Sequence, residues 1–244
     1  MIEEMRKYTS PLNIDYETKY GDEPRRDLIQ FITVPPQRVL EIGCGAGATG
    51  AALKQKFHGV EYTGLESEEN VADIARTRLD KVFTGSIEKV QLQSFGLSKE
   101  YFDIIICGDV LEHLYDPWKT LSLLHDYLKP KGVILLSIPN VQNINNIINL
   151  INGHWTYREN GLLDATHIRF FTLQEIVKML SGTGYKLTQC KGVMDPKLQS
   201  DTWPKNFNFG NFEIKNMTQR EAFNFSSFQY LIVAQKSVAQ PGGA

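Results

Sequence analysis

The fold is decided by the stretch Arg38-Val-Leu-Glu-Ile-Gly-Cys-Gly-Ala-Gly47. Its first half is a short apolar run with one acid, Glu41, and its second half carries glycines at positions 43, 45 and 47. The run predicts a buried strand, and residues 49–57 continue with helical spacing. Glycine lets the backbone approach a ligand closely, and the first N–H groups of a helix point towards it. The stretch therefore predicts a strand, a tight turn and a helix that bind a nucleotide-like cofactor.

Strand-like and helix-like patterns alternate along the next hundred residues. Further strands are predicted at 60–65, 81–84, 102–107 and 132–138, and two more at 185–193 and 228–235. This alternation predicts a parallel sheet with helices on both of its faces. A first helix is predicted from Asp22 to Pro35, and Ser67, Asp116 and Thr172 are predicted to cap later helices.

The glycine loop alone does not identify the cofactor. Gly43-x-Gly45-x-x-Ala48 satisfies the dinucleotide fingerprint. Glu66 follows the second strand about 20 residues later, where a carboxylate accepts hydrogen bonds from the ribose hydroxyls of an adenosine. This acid is typical of NAD enzymes as well, so it indicates adenosine without selecting the cofactor.

Three later motifs narrow the choice of cofactor and of protein family. These are Gly108-Asp-Val-Leu-Glu-His-Leu114, the turn Lys129-Pro-Lys-Gly132 with its strand ending at Asn140, and Thr166-His-Ile-Arg-Phe-Phe-Thr172. With the glycine loop, this ordered set resembles the class I S-adenosylmethionine (SAM) methyltransferases, in particular the group related to ubiquinone-biosynthesis O-methyltransferases. The resemblance implies an α/β fold with a Rossmann-like, seven-stranded, mostly parallel sheet, helices on both faces and an antiparallel last strand.

The resemblance also implies which residues bind SAM. The expected cofactor-binding residues are Glu41, Gly43, Cys44, Gly45, Gly47, Glu66, Ser67, Ser86, Ile87, Asp109, Val110 and Leu111. Ser86 stands where the family often carries an acid that contacts the adenine amino group.

Two histidines, His113 and His167, are the candidate catalytic residues. Asp109, Glu112 and His113 are spaced so that one helical turn presents all three, and the resemblance brings His167 to the same site. The set resembles the metal cluster of small-RNA 2′-O-methyltransferases, with Asp109 in place of a longer Glu. Two other interpretations stay open: a metal-free general base, and a purely structural role.

The domain organisation follows from these motifs. Residues 1–21 are expected to form an N-terminal arm or cap, residues 22–236 the SAM-binding domain, and residues 237–244 a disordered tail. Acceptor-side inserts are expected at about 141–172 and 194–227. The second insert carries five phenylalanines that either wall the acceptor site or pack the insert onto the core: Phe207, Phe209, Phe212, Phe223 and Phe225.

We expect O-methylation of a small hydroxylated acceptor, with saccharides among the candidates. The alternatives are a metal-assisted RNA 2′-O-methyltransferase, an NAD-dependent oxidoreductase and a catalytically silent SAM-binding partner protein.

Composition and charge bear on the partners and the location of the protein. The chain has 244 residues, and its formal net charge of −2 argues against nucleic acid as a partner. Its three cysteines lie far apart without a CxxC pair, which argues against a disulfide framework. No apolar run reaches membrane-spanning length and no signal peptide is evident, so a cytoplasmic location is predicted. The oligomeric state is left open.

Overall fold

The computed structural model describes residues 10, 12, 23–194, 198 and 200–237. The expected N-terminal arm therefore lies outside the described residues except at two positions, and so does the expected tail after residue 237.

Helices and strands alternate along most of the described chain. The helices are α1 (Arg26–Ile29), α2 (Ala48–Lys56), α3 (Glu69–Arg76), α4 (Pro117–Tyr127), α5 (Ile144–Ile151), α6 (Leu173–Gly182) and α7 (Gln219–Ser226). The strands are β1 (Arg38–Ile42), β2 (Glu61–Glu66), β3 (Lys81–Thr84), β4 (Phe102–Gly108), β5 (Leu128–Pro139), β6 (Tyr185–Met194), β7 (Lys205–Asn208), β8 (Glu213–Met217) and β9 (Ser227–Lys236). Two short 3₁₀ turns lie at Leu92–Phe95 and Leu111–His113.

Seven of these strands form one sheet in the order β3-β2-β1-β4-β5-β9-β6. Strands β1 to β5 pair in parallel, and β9 is antiparallel to both of its neighbours. The predicted seven-stranded sheet with an antiparallel last strand is thus confirmed. The chain crosses over between β3 and β4, so β1 and β4 are neighbours, and ligands bind in the crevice at the carboxyl ends of such a pair.

The core lies on both faces of this sheet. Along β4, Ile105 packs into the cluster that contains Leu121 of α4 and Ile176 of α6, whereas Ile104 and Ile106 pack into the cluster on the other face. Successive side chains of a strand point to opposite faces, so a strand covered on both faces is apolar throughout. This double burial explains the near-continuous apolar run of β4.

Two local predictions are wrong and two are confirmed. The first helix forms only one turn instead of running to Pro35. Ser67 does not cap α3, because Glu68 occupies the cap position and the Ser67 hydroxyl donates to Glu66 instead. Asp116 caps α4 by accepting from the Lys119 backbone at 2.9 Å, and Thr172 caps α6.

The second insert forms a small unit of its own. A hairpin of β7 and β8 and helix α7 pack on α5 around a minor cluster, whose buried members include Ile144, Leu198 and Met217. Four of the five phenylalanines pack against this cluster: Phe207, Phe209, Phe212 and Phe225. Phe223 packs on the main core. The interpretation in which these rings pack the insert onto the rest of the protein therefore agrees with the structure.

Within the described ranges, we find no helix whose length and apolar content would suffice to span a bilayer.

Truncating Ile144 should loosen the contact between α5 and the insert. Ile144 is 0% exposed, and Ile→Ala in a core costs about 2–5 kcal/mol of unfolding free energy. The matched control is Leu150→Ala on the same helix, because Leu150 is 54% exposed and a surface change costs about 0.5 kcal/mol or less. Urea denaturation measures both; equal midpoints for the two variants would contradict the described packing.

Candidate active-site cleft

A cleft of about 1540 Å³ opens at the carboxyl ends of β1, β2 and β4. One part of its wall comes from the glycine loop, the end of β2 and the turn after β3. The opposite part comes from residues 108–115, α5 and the loop of residues 154–167. We call these the cofactor side and the acceptor side.

The glycine loop has the backbone that its sequence predicts. Gly43, Gly45 and Gly47 have φ angles of +68°, +52° and +79°, a region that favours glycine. A Cβ on Gly43 would lie 2.9 Å from the Val110 side chain, so a larger residue would collide with the segment after β4. Gly47 does not line the cleft; a Cβ there would crowd Ala75 of α3, so this glycine serves helix packing.

Glu66 connects this loop to the end of β2 by hydrogen bonds. Its carboxylate accepts hydrogen bonds from the backbone N–H groups of Gly45 and Ser67, each at 2.8 Å. The residue is only 2% exposed yet lines the cleft. The Oε1 atom also accepts from the Ser67 hydroxyl and the Glu68 backbone N–H, each at 3.2 Å. Oε2 accepts from Gly45 alone among the described residues, so this oxygen keeps an acceptor site for a ligand hydroxyl.

Glu41 lies at the floor of the cleft in a different environment. It accepts a hydrogen bond from the buried Tyr62 hydroxyl at 2.8 Å. Burial raises the pKa of Glu41 to about 8, although the hydrogen bonds from Tyr62 and Thr49 oppose this change. The protein therefore favours the neutral carboxyl here at pH values below about 8.

Most other predicted cofactor residues also line the cleft: Cys44, Ser67, Ser86, Ile87, Asp109 and Val110. Leu111 does not, because its side chain is fully buried in the main core. The turn after β3 is tied to the acceptor side, since the Glu88 carboxylate accepts from the backbone N–H groups of Tyr115 and Asp116.

Asp109 turns away from the histidines. Its φ of +56° directs the carboxylate to the Ser137 hydroxyl, which donates at 2.7 Å, and to an ion pair with Arg25. Burial opposes the charge on Arg25, but its hydrogen bonds and ion pairs with Asp27 and Asp109 raise its pKa. The sequence motifs gave no signal for Arg25, which also lines the cleft.

Glu112, His113 and His167 form the reactive cluster of the cleft. One oxygen or nitrogen atom of each lies within 4.8 Å of the others, and the His167 Nε2 lies 4.0 Å from a Glu112 oxygen. The two rings meet edge to face with centroids 4.7 Å apart. Among the described residues, Asp109 does not belong to any such cluster.

Backbone carbonyls fix the orientation of both rings. The Nδ1 atom of His113 lies 3.2 Å from the Thr166 carbonyl oxygen, and that of His167 lies 3.3 Å from the Leu162 carbonyl oxygen. The Thr166 hydroxyl also lies 3.1 Å from the His113 Nδ1, but it donates its proton to Asp164. Both partners of that nitrogen therefore accept, as does the Leu162 carbonyl at His167, so each Nδ1 carries the proton in the neutral ring and each Nε2 has the lone pair.

Glu112 completes a cluster of acceptors. It is 1% exposed, and neither carboxylate oxygen has a hydrogen-bond partner in the part of the chain that the structure describes. Burial, reinforced by the nearby Asp109, raises the pKa of Glu112 well above its ordinary value. A buried carboxylate without a hydrogen-bond donor favours a proton or another cation beside it.

Comparison with known proteins adds independent evidence. A family model described as "Methyltransferase domain" matches residues 16–190. Ubiquinone biosynthesis O-methyltransferase from Coxiella burnetii is 26% identical over 167 residues, which cover 67% of this chain and 70% of that protein.

Solved structures show the same fold. A SAM-dependent methyltransferase from Archaeoglobus fulgidus aligns with a TM-score of 0.58 and 20% identity, over 91% of this chain and all of that chain. Magnesium protoporphyrin IX methyltransferase from Synechocystis, solved with bound S-adenosylhomocysteine (SAH), aligns with a TM-score of 0.55 and 15% identity. That alignment covers 87% of this chain and 80% of the Synechocystis chain.

Glu66→Gln should weaken SAH binding by about 10- to 100-fold, because an amide has one acceptor oxygen where the carboxylate has two. The single amide oxygen cannot accept hydrogen bonds from the loop backbone and from a ribose hydroxyl in the way that two carboxylate oxygens can. Calorimetric titration with SAH measures this, with Glu69→Gln, an exposed acid paired with Arg76, as the control. Unchanged affinity in Glu66→Gln would exclude the ribose contact.

Proposed function

The chain belongs to the methyltransferase-domain family and is a SAM-dependent methyltransferase, and we propose that it methylates an oxygen atom of a small hydroxylated acceptor. The observation that carries this proposal is the Glu112–His113–His167 cluster, which shares one cleft with the glycine loop and Glu66. The name of the Coxiella relative, an O-methyltransferase, supports oxygen as the acceptor atom.

The family also decides between the earlier alternatives. An NAD-dependent oxidoreductase is wrong, because the family model covers the cofactor loop and the later motifs together. The catalytically silent alternative is wrong as well, since the chain is an enzyme of this family. None of the names of the similar proteins above mentions a saccharide, so the proposal extends to a hydroxylated acceptor without naming one.

The residues of the cofactor side fit SAM. Gly43 and Gly45 line the cleft with the positive φ angles that glycine permits, Glu66 offers an acceptor for a ribose hydroxyl, and Ile87 offers an apolar surface for adenine. When bound, SAM supplies a methyl group already activated on a sulfonium. The protein then has two tasks, which are to align the acceptor oxygen and to accept its proton.

The cluster is suited to the second task. The lone pair on the His167 Nε2 can accept the hydroxyl proton, and the Glu112 carboxylate 4.0 Å away would stabilise the imidazolium that results. The fixed Nδ1 contact to the Leu162 carbonyl keeps the ring in this orientation.

A divalent metal is a second candidate, and the donor set fits it. Two imidazole Nε2 lone pairs and one buried carboxylate are the ligands that Zn²⁺, Mn²⁺ and Fe²⁺ use, and their Nδ1–H groups are held by carbonyls as in many metal sites. Glu112, His113 and His167 would hold the ion, without Asp109. The ion would lower the pKa of the acceptor hydroxyl.

Removal of His167 should abolish most turnover without affecting the cofactor. His167→Ala should lower kcat by about 10²–10⁴-fold, the range for loss of a general base, while SAH affinity stays the same. Transfer from methyl-labelled SAM to a panel of phenols and polyols measures the rate. The control is His58→Ala, since His58 is exposed and lies outside the cleft. Unchanged kcat in His167→Ala would refute the assigned role.

Chelation separates the two candidates. With a general base alone, activity survives chelators. With a metal, chelation removes activity, and titrated Zn²⁺ or Mn²⁺ binds the wild type but not Glu112→Gln. The control is Glu213→Gln in the exposed hairpin. Full activity after chelation, with no ion bound, would rule out the metal.

A further inference from the structure

Three lysine and arginine side chains line the described cleft: Arg25, Lys89 and Arg158. Arg25 is neutralised by Asp27 and Asp109. Lys89 lies on the cofactor side, in the turn after β3. Arg158 is thus the arginine that lines the loop of residues 154–167 on the acceptor side.

Two acids that line the cleft, apart from the buried Glu112, are already engaged. Glu88 accepts from the backbone of Tyr115 and Asp116, and Asp164 accepts from the Thr166 backbone and hydroxyl at 2.8 and 2.6 Å. The Arg158 side chain, in contrast, forms no hydrogen bond or ion pair with any residue that the structure describes. A guanidinium without a counter-ion in a ligand cleft is suited to an anion.

The backbone holds Arg158 in a fixed relation to the reactive cluster. Its N–H donates to the Leu163 carbonyl at 2.9 Å, and its carbonyl accepts from Ala165 at 2.8 Å. The same loop supplies the Leu162 carbonyl that fixes the His167 ring. Arg158 and His167 line the cleft from the same loop, and the Arg158 side chain is exposed there, so it can meet an acceptor whose hydroxyl lies at His167.

We propose that the acceptor carries an anionic group, a carboxylate or a phosphate, and that Arg158 binds this group while the hydroxyl lies at His167. This proposal rests on the proposed O-methylation and adds the class of acceptor. The side chains that line the same part of the cleft, including Asn149, Thr156 and Asn160, offer hydrogen bonds for the polar remainder of such a molecule.

Matched pairs of probes test the proposal on the SAH-loaded protein. The carboxylate pair is 3,4-dihydroxybenzoate and its amide, and the phosphate pair is glucose 6-phosphate and glucose. Calorimetry should show that the anion binds about tenfold or more tightly than its neutral partner in at least one pair, as expected for charge-assisted hydrogen bonds. The pair that shows the preference identifies the anionic group.

The preference should disappear in Arg158→Gln and be partly kept in Arg158→Lys, which retains charge without the planar fork. Lys89→Gln removes the same charge from the other side of the cleft and should preserve the preference. Arg220→Gln removes an exposed arginine outside the cleft and controls for folding. Equal binding of anion and neutral partner in both pairs, no binding of any probe, or a preference that survives Arg158→Gln would each overturn the proposal.

The binding readout also separates this proposal from the proposed function. An Arg158-dependent preference without methyl transfer to any hydroxylated probe would preserve the anion site and count against O-methylation. Methyl transfer to neutral hydroxylated probes at a rate that Arg158→Gln does not change would support O-methylation and count against the anion site.

Discussion

The hydrogen bonds from the Gly45 and Ser67 backbone to the Glu66 carboxylate hold the cofactor side together. They connect the loop after β1 to the end of β2, two strands that are already neighbours in the sheet. A buried carboxylate needs such donors, because an unpaired one is costly to remove from water. The same carboxylate is therefore both a structural link and the group that we propose for the ribose. The rest of the cleft is arranged around a loop whose position this residue sets.

Much of the fold could be predicted from local pattern because the pattern reports burial directly. The apolar run of β4 is buried on both faces, and the glycines after β1 adopt the positive φ angles that their residue type permits. Caps at Asp116 and Thr172 depend only on the next three residues, so their sequence is sufficient evidence. Ser67 has the same sequence character but acts differently, because Glu66 competes for its hydroxyl.

The candidate site was harder to predict from the sequence than the fold, because two of its features depend on residues that are far apart in the chain. Helical spacing grouped Asp109 with Glu112 and His113, but among the described residues its carboxylate binds Ser137 and Arg25 and does not join their cluster. Arg25 reaches Asp109 across 84 positions of the chain, which no periodicity reveals. The meeting of His113 with His167 was anticipated only through family resemblance. In the structure, the backbone N–H groups of Ile168 and Arg169 both donate to the Glu112 carbonyl and bring the two segments together.

The minor cluster between α5 and the second insert has an evolutionary consequence. That insert lies between β6 and β9 in the chain and packs largely around its own buried residues, whereas the glycine loop and Glu66 are set by strand pairing in the main sheet. Substitutions in the insert can therefore be repaired within the insert, without altering the register of β1 and β2. Gene duplicates of such a chain could therefore vary one compact module, which borders the acceptor side through α5, while inheriting an unaltered glycine loop.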